Sequence, residues 1–370
     1  MPVILALCLS TPGTSQTLDP GQLKVSLVTV GPGPFSWQAF GHNALLLQDP
    51  AGPFQAIYNF GLFDFEQPNF LWNFVRGLMT YRMQAFDPDQ DIARYIQDGR
   101  RVSVQTLNLS ASQKQRLLFH LEEHRREENA SYQYDYFRQN CSTKVRDALN
   151  IATRGALKAA FPEGSTEQTY RSSLSQYSAA LPWMHVGANL GLGKPVDKPI
   201  SQWAMAYLPD HLQHSLEGLP GLEGTPGPLV ESTTVVSEGL PYSSPWAFWI
   251  AAFAVVGAAI MAMLWRSHLP GVVWASLSGL LGLTMLTLWW GTDHWAAAAN
   301  PMILAMSPLL LVWAFISGPA RGVLGWLIVL CMVAGLFLSQ GSVQWSLGGF
   351  QLLALLLLQW RPTRPKEELA

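Results

Sequence analysis

Cys141 stands in Tyr134-Asp-Tyr-Phe-Arg-Gln-Asn-Cys141-Ser-Thr-Lys, a run that is polar on both sides of the sulfur. A lone thiol is usually a buried small hydrophobe, and that reading calls for apolar neighbours. Residues 142–150 read as a helix, with Val145 and Leu149 four apart and Asn140 placed to cap it. A cysteine at a helix N-terminus feels the positive end of the dipole, which stabilises the thiolate, the nucleophilic form. Such a nucleophile needs a base, and six of the eight histidines precede residue 245. His42 is the best placed, because Trp37-Gln-Ala-Phe-Gly-His42-Asn-Ala-Leu-Leu-Leu reads as a loop entering a strand. The turn Asp49-Pro-Ala-Gly then returns the chain into a second strand, Gln55 to Phe60, where Asn59 is a candidate to orient the imidazole. The plainer alternatives are a structural thiol at Cys141 and a hydrogen-bonded strand residue at His42.

A second constellation points to metal chemistry. His120-Leu-Glu-Glu-His124 matches the inverted zinc-peptidase pattern, and on a helix its imidazoles share a face. The helix is opened by a capping box, Ser110 with Gln113, and carries Leu117, Leu118 and Leu121. Its far end, Glu122-Glu-His-Arg-Arg-Glu-Glu128, is a charge run typical of a solvated face. No metal is expected there, and no other motif calls for a cofactor. His211 and His214, three apart on another predicted helix, read as surface residues.

The elements that hold these residues divide the chain in two. Of 370 residues 49% are hydrophobic and 13% charged, but between Trp246 and Trp360 only Arg266, Asp293 and Arg321 carry full charge. Hydropathy marks five candidate spans there: Trp246 to Trp265, Leu269 to Trp290, Pro301 to Ser317, Gly322 to Leu338 and Trp345 to Trp360. The connections at Arg266 and Arg321 and the tail Arg361, Arg364, Lys366 are basic. Gly291 to Asn300 and Ser339 to Gln344 have no Lys or Arg. Short cytoplasmic loops concentrate positive charge, so this alternation predicts a cytoplasmic C-terminus and an external N-terminal part. Residues 1–16 read as a weak signal peptide, 17–215 as a periplasmic cysteine domain, 216–245 as a linker, 246–360 as the membrane part and 361–370 as a cytoplasmic tail. Cys8 follows Leu-Ala-Leu and lacks the small residue expected before a lipidated cysteine. The net charge of −2, without basic runs, argues against a nucleic-acid partner.

Several stretches together resemble the Lnb-type periplasmic domain: Gly41-His42, Tyr58-Asn-Phe-Gly-Leu-Phe-Asp-Phe65, Pro68-Asn-Phe70, Phe74 to Gly77, Tyr81 and Asn140-Cys141-Ser-Thr. Leu107-Asn-Leu109, Arg171, Leu192-Gly-Lys-Pro-Val-Asp197, Leu208-Pro-Asp210, Thr292-Asp-His294 and Asn300 extend the match. The order of His before Cys and the Asn-Cys pair are also similar to the lecithin:retinol acyltransferase group. The resemblance implies an α+β, permuted papain-like (NlpC-type) domain followed by an all-α membrane domain of five helices, in a bacterial inner membrane. It implies a lipoprotein N-acyltransferase that needs no cofactor and moves an acyl chain from a phospholipid to a diacylglyceryl lipoprotein. Cys141 would be the nucleophile and His42 the base, with Asn59 and Asn140 in support. Tyr58, Arg171, Asp197, Asp293 and His294 would be substrate-contacting or auxiliary. Two rival readings are a cell-wall cysteine peptidase or amidase, for which one span would suffice, and a non-catalytic lipoprotein-assembly factor.

Overall fold

The structure, a computed structural model, describes residues 18–63, 67–240, 256–257, 260 and 268–359. The predicted leader, most of the predicted span 246–265 and the basic tail lie outside the described residues.

The strands are β1 (Lys24–Val30), β2 (His42–Gln48), β3 (Gln55–Leu62), β4 (Thr80–Phe86), β5 (Val102–Leu107), β6 (Ser131–Gln133), β7 (Ser165–Thr169), β8 (Pro199–Ser201) and β9 (Val230–Ser237). Seven of them form one antiparallel sheet in the order β6-β4-β3-β2-β1-β5-β9, while β7 and β8 pair separately. Side chains alternate between the two faces of a strand. Val25, Leu27, Leu45 and Leu47 pack with Leu117 and Leu121 of the helix Ala111–Arg125 and with Val145 and Leu149 of the helix Cys141–Ala152. Val28, Val30, Ala44, Leu46 and Ile57 pack on the other face with Tyr95 of the helix Pro88–Gln97. Cover on both faces accounts for the nearly unbroken burial along β1 and β2.

The predicted hairpin and both predicted helix starts agree with the structure. Ser110 and Gln113 form a reciprocal capping box, and Asn140 Oδ1 accepts from the Thr143 N–H at 2.9 Å. The segment 216–245, expected as a linker, instead contains β9, which pairs with the edge of β5. Its run Val230-Glu-Ser-Thr-Thr-Val-Val-Ser237 is rich in β-branched residues, which suit an extended chain at a sheet edge despite their low apolar content.

Three described helices are long and apolar enough to cross a membrane: Leu269–Trp290, Pro319–Leu338 and Ser342–Gln359. The expected span Pro301 to Ser317 is not one helix, because it breaks into Met302–Ala305 and Leu309–Phe315. Pro308 lacks an N–H and disfavours helical geometry in the residue before it, so the ladder stops at Met306–Ser307. At about 1.5 Å per residue the two pieces cover roughly 16 Å, against a hydrocarbon core of roughly 30 Å. Their depth is read from the glycines that touch them. A Cβ at Gly335 would meet Leu304 and Pro301, one at Gly279 would meet Leu311, and one at Gly325 would meet Trp313 and Gln359. Residues 290, 301, 338 and 342 therefore gather at one end of the helical region, and residues 271, 313, 325 and 358 at the other. The two connections without Lys or Arg lie at the first end, against the sheet domain, where Gln344 Nε2 donates to the Asn189 carbonyl at 3.1 Å.

Candidate active site

His42 opens β2, and Gly41 before it has φ +81°, where an added Cβ would come to 2.6 Å from the Val30 carbonyl oxygen. Glycine takes that backbone conformation without strain, so the chain can turn sharply into the strand. His42 shares a sheet face with Ala44, Leu46 and, across the ladder, Asn59. His42 Nε2 and Asn59 Oδ1 are 2.7 Å apart. Asn59 is buried, and its Nδ2 donates to Asp91 Oδ2 at 2.9 Å; Asp91 is in turn paired with Arg94. An ionised carboxylate only accepts, so the amide nitrogen of Asn59 faces Asp91 and its oxygen faces the ring. Nε2 then carries the proton, and Nδ1 keeps the lone pair that a base needs.

Cys141 begins its helix on the opposite side of the sheet. Its neighbour Ser142 lies with Oγ 2.8 Å from Asn43 Oδ1, and Asn43 Nδ2 donates to Thr29 Oγ1 at 2.9 Å. Asn140 Nδ2 donates to the carbonyls of Tyr207 at 2.8 Å and Tyr136 at 3.0 Å. With its oxygen committed to the helix cap, Asn140 acts through the placement of Cys141. A Cβ at Gly61 of β3, where φ is +90°, would stand 3.4 Å from Cys141 Cβ, so the strand passes close to the nucleophile.

Burial decides the charge states. It lowers the His42 imidazole to about 4, against the Asn59 hydrogen bond and with the help of the Arg100 and Arg94 cations. It also pushes the Cys141 thiol up, against the backbone N–H groups of Asn43, Ser142 and Cys141 itself and the Arg100 cation. The helix terminus was expected to favour a thiolate, but desolvation outweighs it. At neutral pH the resting pair is a neutral thiol and a neutral imidazole.

Cys141 and His42 line one cavity of about 860 Å³. Its wall is rich in aromatic residues, with Trp37, Phe40, Phe63, Tyr136, Trp183 and Tyr207 among them, and Asp293 to Ala296 of the helical region complete it. That loop is docked on the sheet domain. The Asp293 N–H donates to the Arg76 carbonyl at 2.8 Å, and His294 Nε2 lies 3.2 Å from the carbonyls of Phe74 and Val75. The Arg138 guanidinium lies 3.6 Å from the Trp295 ring centroid. The loop thereby caps the helix Phe70–Arg76, whose Leu71 and Trp72 are 75% and 62% exposed.

The other predicted site residues lie apart from this cavity. Tyr58 alternates with Asn59 and so points to the opposite face, where its hydroxyl donates to Glu122 Oε1 at 2.6 Å. Arg171 and Asp197 form a buried ion pair, and Arg171 also donates to the carbonyls of Asn189, Leu192 and Gly193. They brace the segment 189–197, which Gln344 joins to the helical region. The His120 and His124 rings are tilted against each other with centroids 4.2 Å apart, and His124 Nδ1 lies 2.9 Å from the His120 carbonyl oxygen. Sequence reasoning passed over Asp91 and Arg100. Asp91 could have been found as an acid one turn before Tyr95 on the core face of a predicted helix. Nothing in the sequence distinguishes Arg100 from the neighbouring Arg101.

Among known proteins, no curated sequence and no solved structure matches the chain. Residues 11–176 match the family model described as the Lnb N-terminal periplasmic domain. That stretch holds the Gly41-His42 turn, the β3 run with Asn59 and Gly61, and the Asn140-Cys141 cap. Over residues 11–176, the chain is therefore similar to the Lnb N-terminal periplasmic domain.

Proposed function

We propose that this protein is a membrane-tethered cysteine acyltransferase that moves an acyl chain from a phospholipid to the N-terminal amine of diacylglyceryl lipoproteins. The observation that carries the reading is the shared cavity: a helix-capped thiol and a base with a free Nδ1 lie in one aromatic chamber. Part of that chamber's wall comes from the loop that follows the membrane-length helix Leu269–Trp290. A site built at that junction meets substrates that both reside in a bilayer.

In the first half-reaction His42 Nδ1 takes the Cys141 proton as the sulfur attacks the ester carbonyl. The resulting oxyanion is met by the backbone N–H groups of Asn43 and Ser142, which already point toward the sulfur. Collapse breaks the ester C–O bond, His42 returns the proton to the leaving oxygen, and lysophospholipid departs. The lipoprotein amine then attacks the thioester, His42 takes its proton, and the thiol leaves reprotonated. Asn59, held by Asp91, keeps Nε2 protonated throughout.

A cysteine at a helix N-terminus, packed on an antiparallel sheet whose next strands supply His and Asn, supports a permuted papain-like fold. In this reading five spans, the first at 246–265, place the sheet domain in the periplasm and the C-terminus in the cytoplasm of a bacterial inner membrane. The opposite ends of the helical region support it, since the loops free of Lys and Arg lie beside the domain. The test is complementation of a strain lacking its lipoprotein N-acyltransferase, followed by mass spectrometry of lipoprotein N-termini. Triacyl products with the native chain and diacyl products with Cys141→Ala are expected. Diacyl products in both would overturn the function, and a peptidyl rather than fatty-acyl adduct trapped on Cys141 would favour the peptidase reading.

A further inference from the structure

Arg100 is a buried cation that the mechanism above does not use. It is 4% exposed and lines the cavity with Cys141 and His42. Its Nε donates to the Gly31 carbonyl at 2.9 Å, and its guanidinium lies 5.2 Å from the Tyr95 ring centroid. Nη2 is buried without a hydrogen-bond partner, and Arg100 joins no salt bridge among the described residues. Of the neighbouring charges, Arg94 pairs with Asp91, and the exposed Asp98, whose charge reaches Arg100 without forming an ion pair, accepts from Gln38 Nε2 at 3.2 Å.

A guanidinium is charged at every physiological pH, and a buried charge without a counter-ion is strongly disfavoured. A fold that keeps one beside a reactive thiol has a use for an anion at that point. Arginine's planar fork fits a phosphate oxygen pair, and although Asp98, Asp135 and Asp293 also line the cavity, none of them forms an ion pair with Arg100.

We propose that Arg100 is the anion-binding group of the cavity and holds the phosphate of the glycerophospholipid acyl donor while the ester carbonyl lies at Cys141. This assignment rests on the acyl-transfer reading for its donor. It makes Arg100 a specificity residue that separates phospholipids from neutral glycerides and esters sharing the same acyl chains.

Two measurements on the full chain in detergent test it. In the first, alkylation of Cys141 by iodoacetamide is followed by peptide mass spectrometry with glycerophosphoethanolamine, inorganic phosphate or glycerol present. Glycerophosphoethanolamine protects the native thiol and glycerol does not, while Arg100→Gln needs about 10- to 100-fold more protectant, the loss of one charge-assisted hydrogen bond. Arg100→Lys lies between the two and controls for folding. Protection by inorganic phosphate equal to that by glycerophosphoethanolamine would assign the site to free phosphate and overturn the headgroup role. In the second, the rate of Cys141 acylation from phosphatidylethanolamine is divided by the rate from diacylglycerol. That ratio falls at least tenfold in Arg100→Gln; an equal loss on both donors would mean that Arg100 serves only the thiol, and would overturn the proposal. Protection without acylation from any donor would end the acyl-transfer reading and leave an anion subsite. Acylation with an unchanged ratio would do the reverse.

Discussion

The charge state of His42 has a consequence that acid titration can measure. Burial holds the imidazole at about 4 instead of the ordinary 6.5. Because the folded value lies below the unfolded one, the unfolded chain binds the proton first as pH falls. The stability that depends on neutral His42 is complete above pH 6.5 and is lost progressively down to about pH 4, amounting to about 3 kcal/mol. The same titration governs activity. At pH 5 only about a tenth of the folded chain carries protonated His42, so the base remains available. The thiol, raised by burial, stays neutral through the same range. The rate of acyl-Cys141 formation, read by intact mass spectrometry with an esterified lipid donor, is therefore expected to be flat from about pH 5 to 8. Its acid limb is expected near 4. Chemical denaturation in detergent should show the native chain losing about 3 kcal/mol more than His42→Gln between pH 6.5 and 4. An acid limb at 6 to 7, or parallel stability curves for the two proteins, would refute the neutral-pair reasoning.

Asn59→Ala frees the imidazole to rotate and should lower the acylation rate about 10- to 100-fold, part of the roughly 100- to 10,000-fold that general-base catalysis supplies. Asp91→Asn should fall in the same direction by less, and a native rate in both variants would remove the relay from the mechanism. Arg171→Met leaves Asp197 buried without its partner, so stability should drop by about 3–5 kcal/mol. The thiol reactivity of the fraction that stays folded is expected to be unchanged, and a selective loss of that reactivity would contradict a bracing role. Leu71→Glu with Trp72→Glu removes two exposed apolar side chains from the helix beside the cavity. The rate with bilayer-embedded phospholipid should then fall well below the rate with a short-chain, water-soluble ester; equal loss on both would show that the helix does not face lipid.

Local patterns made much of this architecture legible. The caps at Ser110 and Asn140 and the turn at Asp49 follow from short-range rules, and these made Asn59 a candidate partner of His42 that only the strand register brings within 2.7 Å. Three of the apolar segments appear as membrane-length helices for the same reason. What escaped depends on tertiary burial. The sign of the Cys141 shift is set by how much water the fold removes, which a helix-dipole argument does not contain. β9 was hidden because a solvated edge strand lacks apolar alternation. Tyr58 looked chemical through its neighbours, yet the two-residue period of a strand turns it away from Asn59. Asp91 and Arg100 come to the site only through the packing of the helix Pro88–Gln97 against the sheet.

The cavity wall does not end where the match to the family model ends. Residues 11–176 supply Cys141, His42 and Asn59, but Trp183, Leu192, Tyr207, Pro209 and Asp293 to Ala296 also line the chamber. A chain cut at residue 176 would keep every group of the proposed chemistry and lose the enclosure around it. The thiol would then meet water, its burial-driven shift would shrink, and hydrolysis would compete with transfer. In the acyl-transfer reading the helical region is thus more than a mooring, because Asp293 to Ala296 supply part of the wall around the thiol.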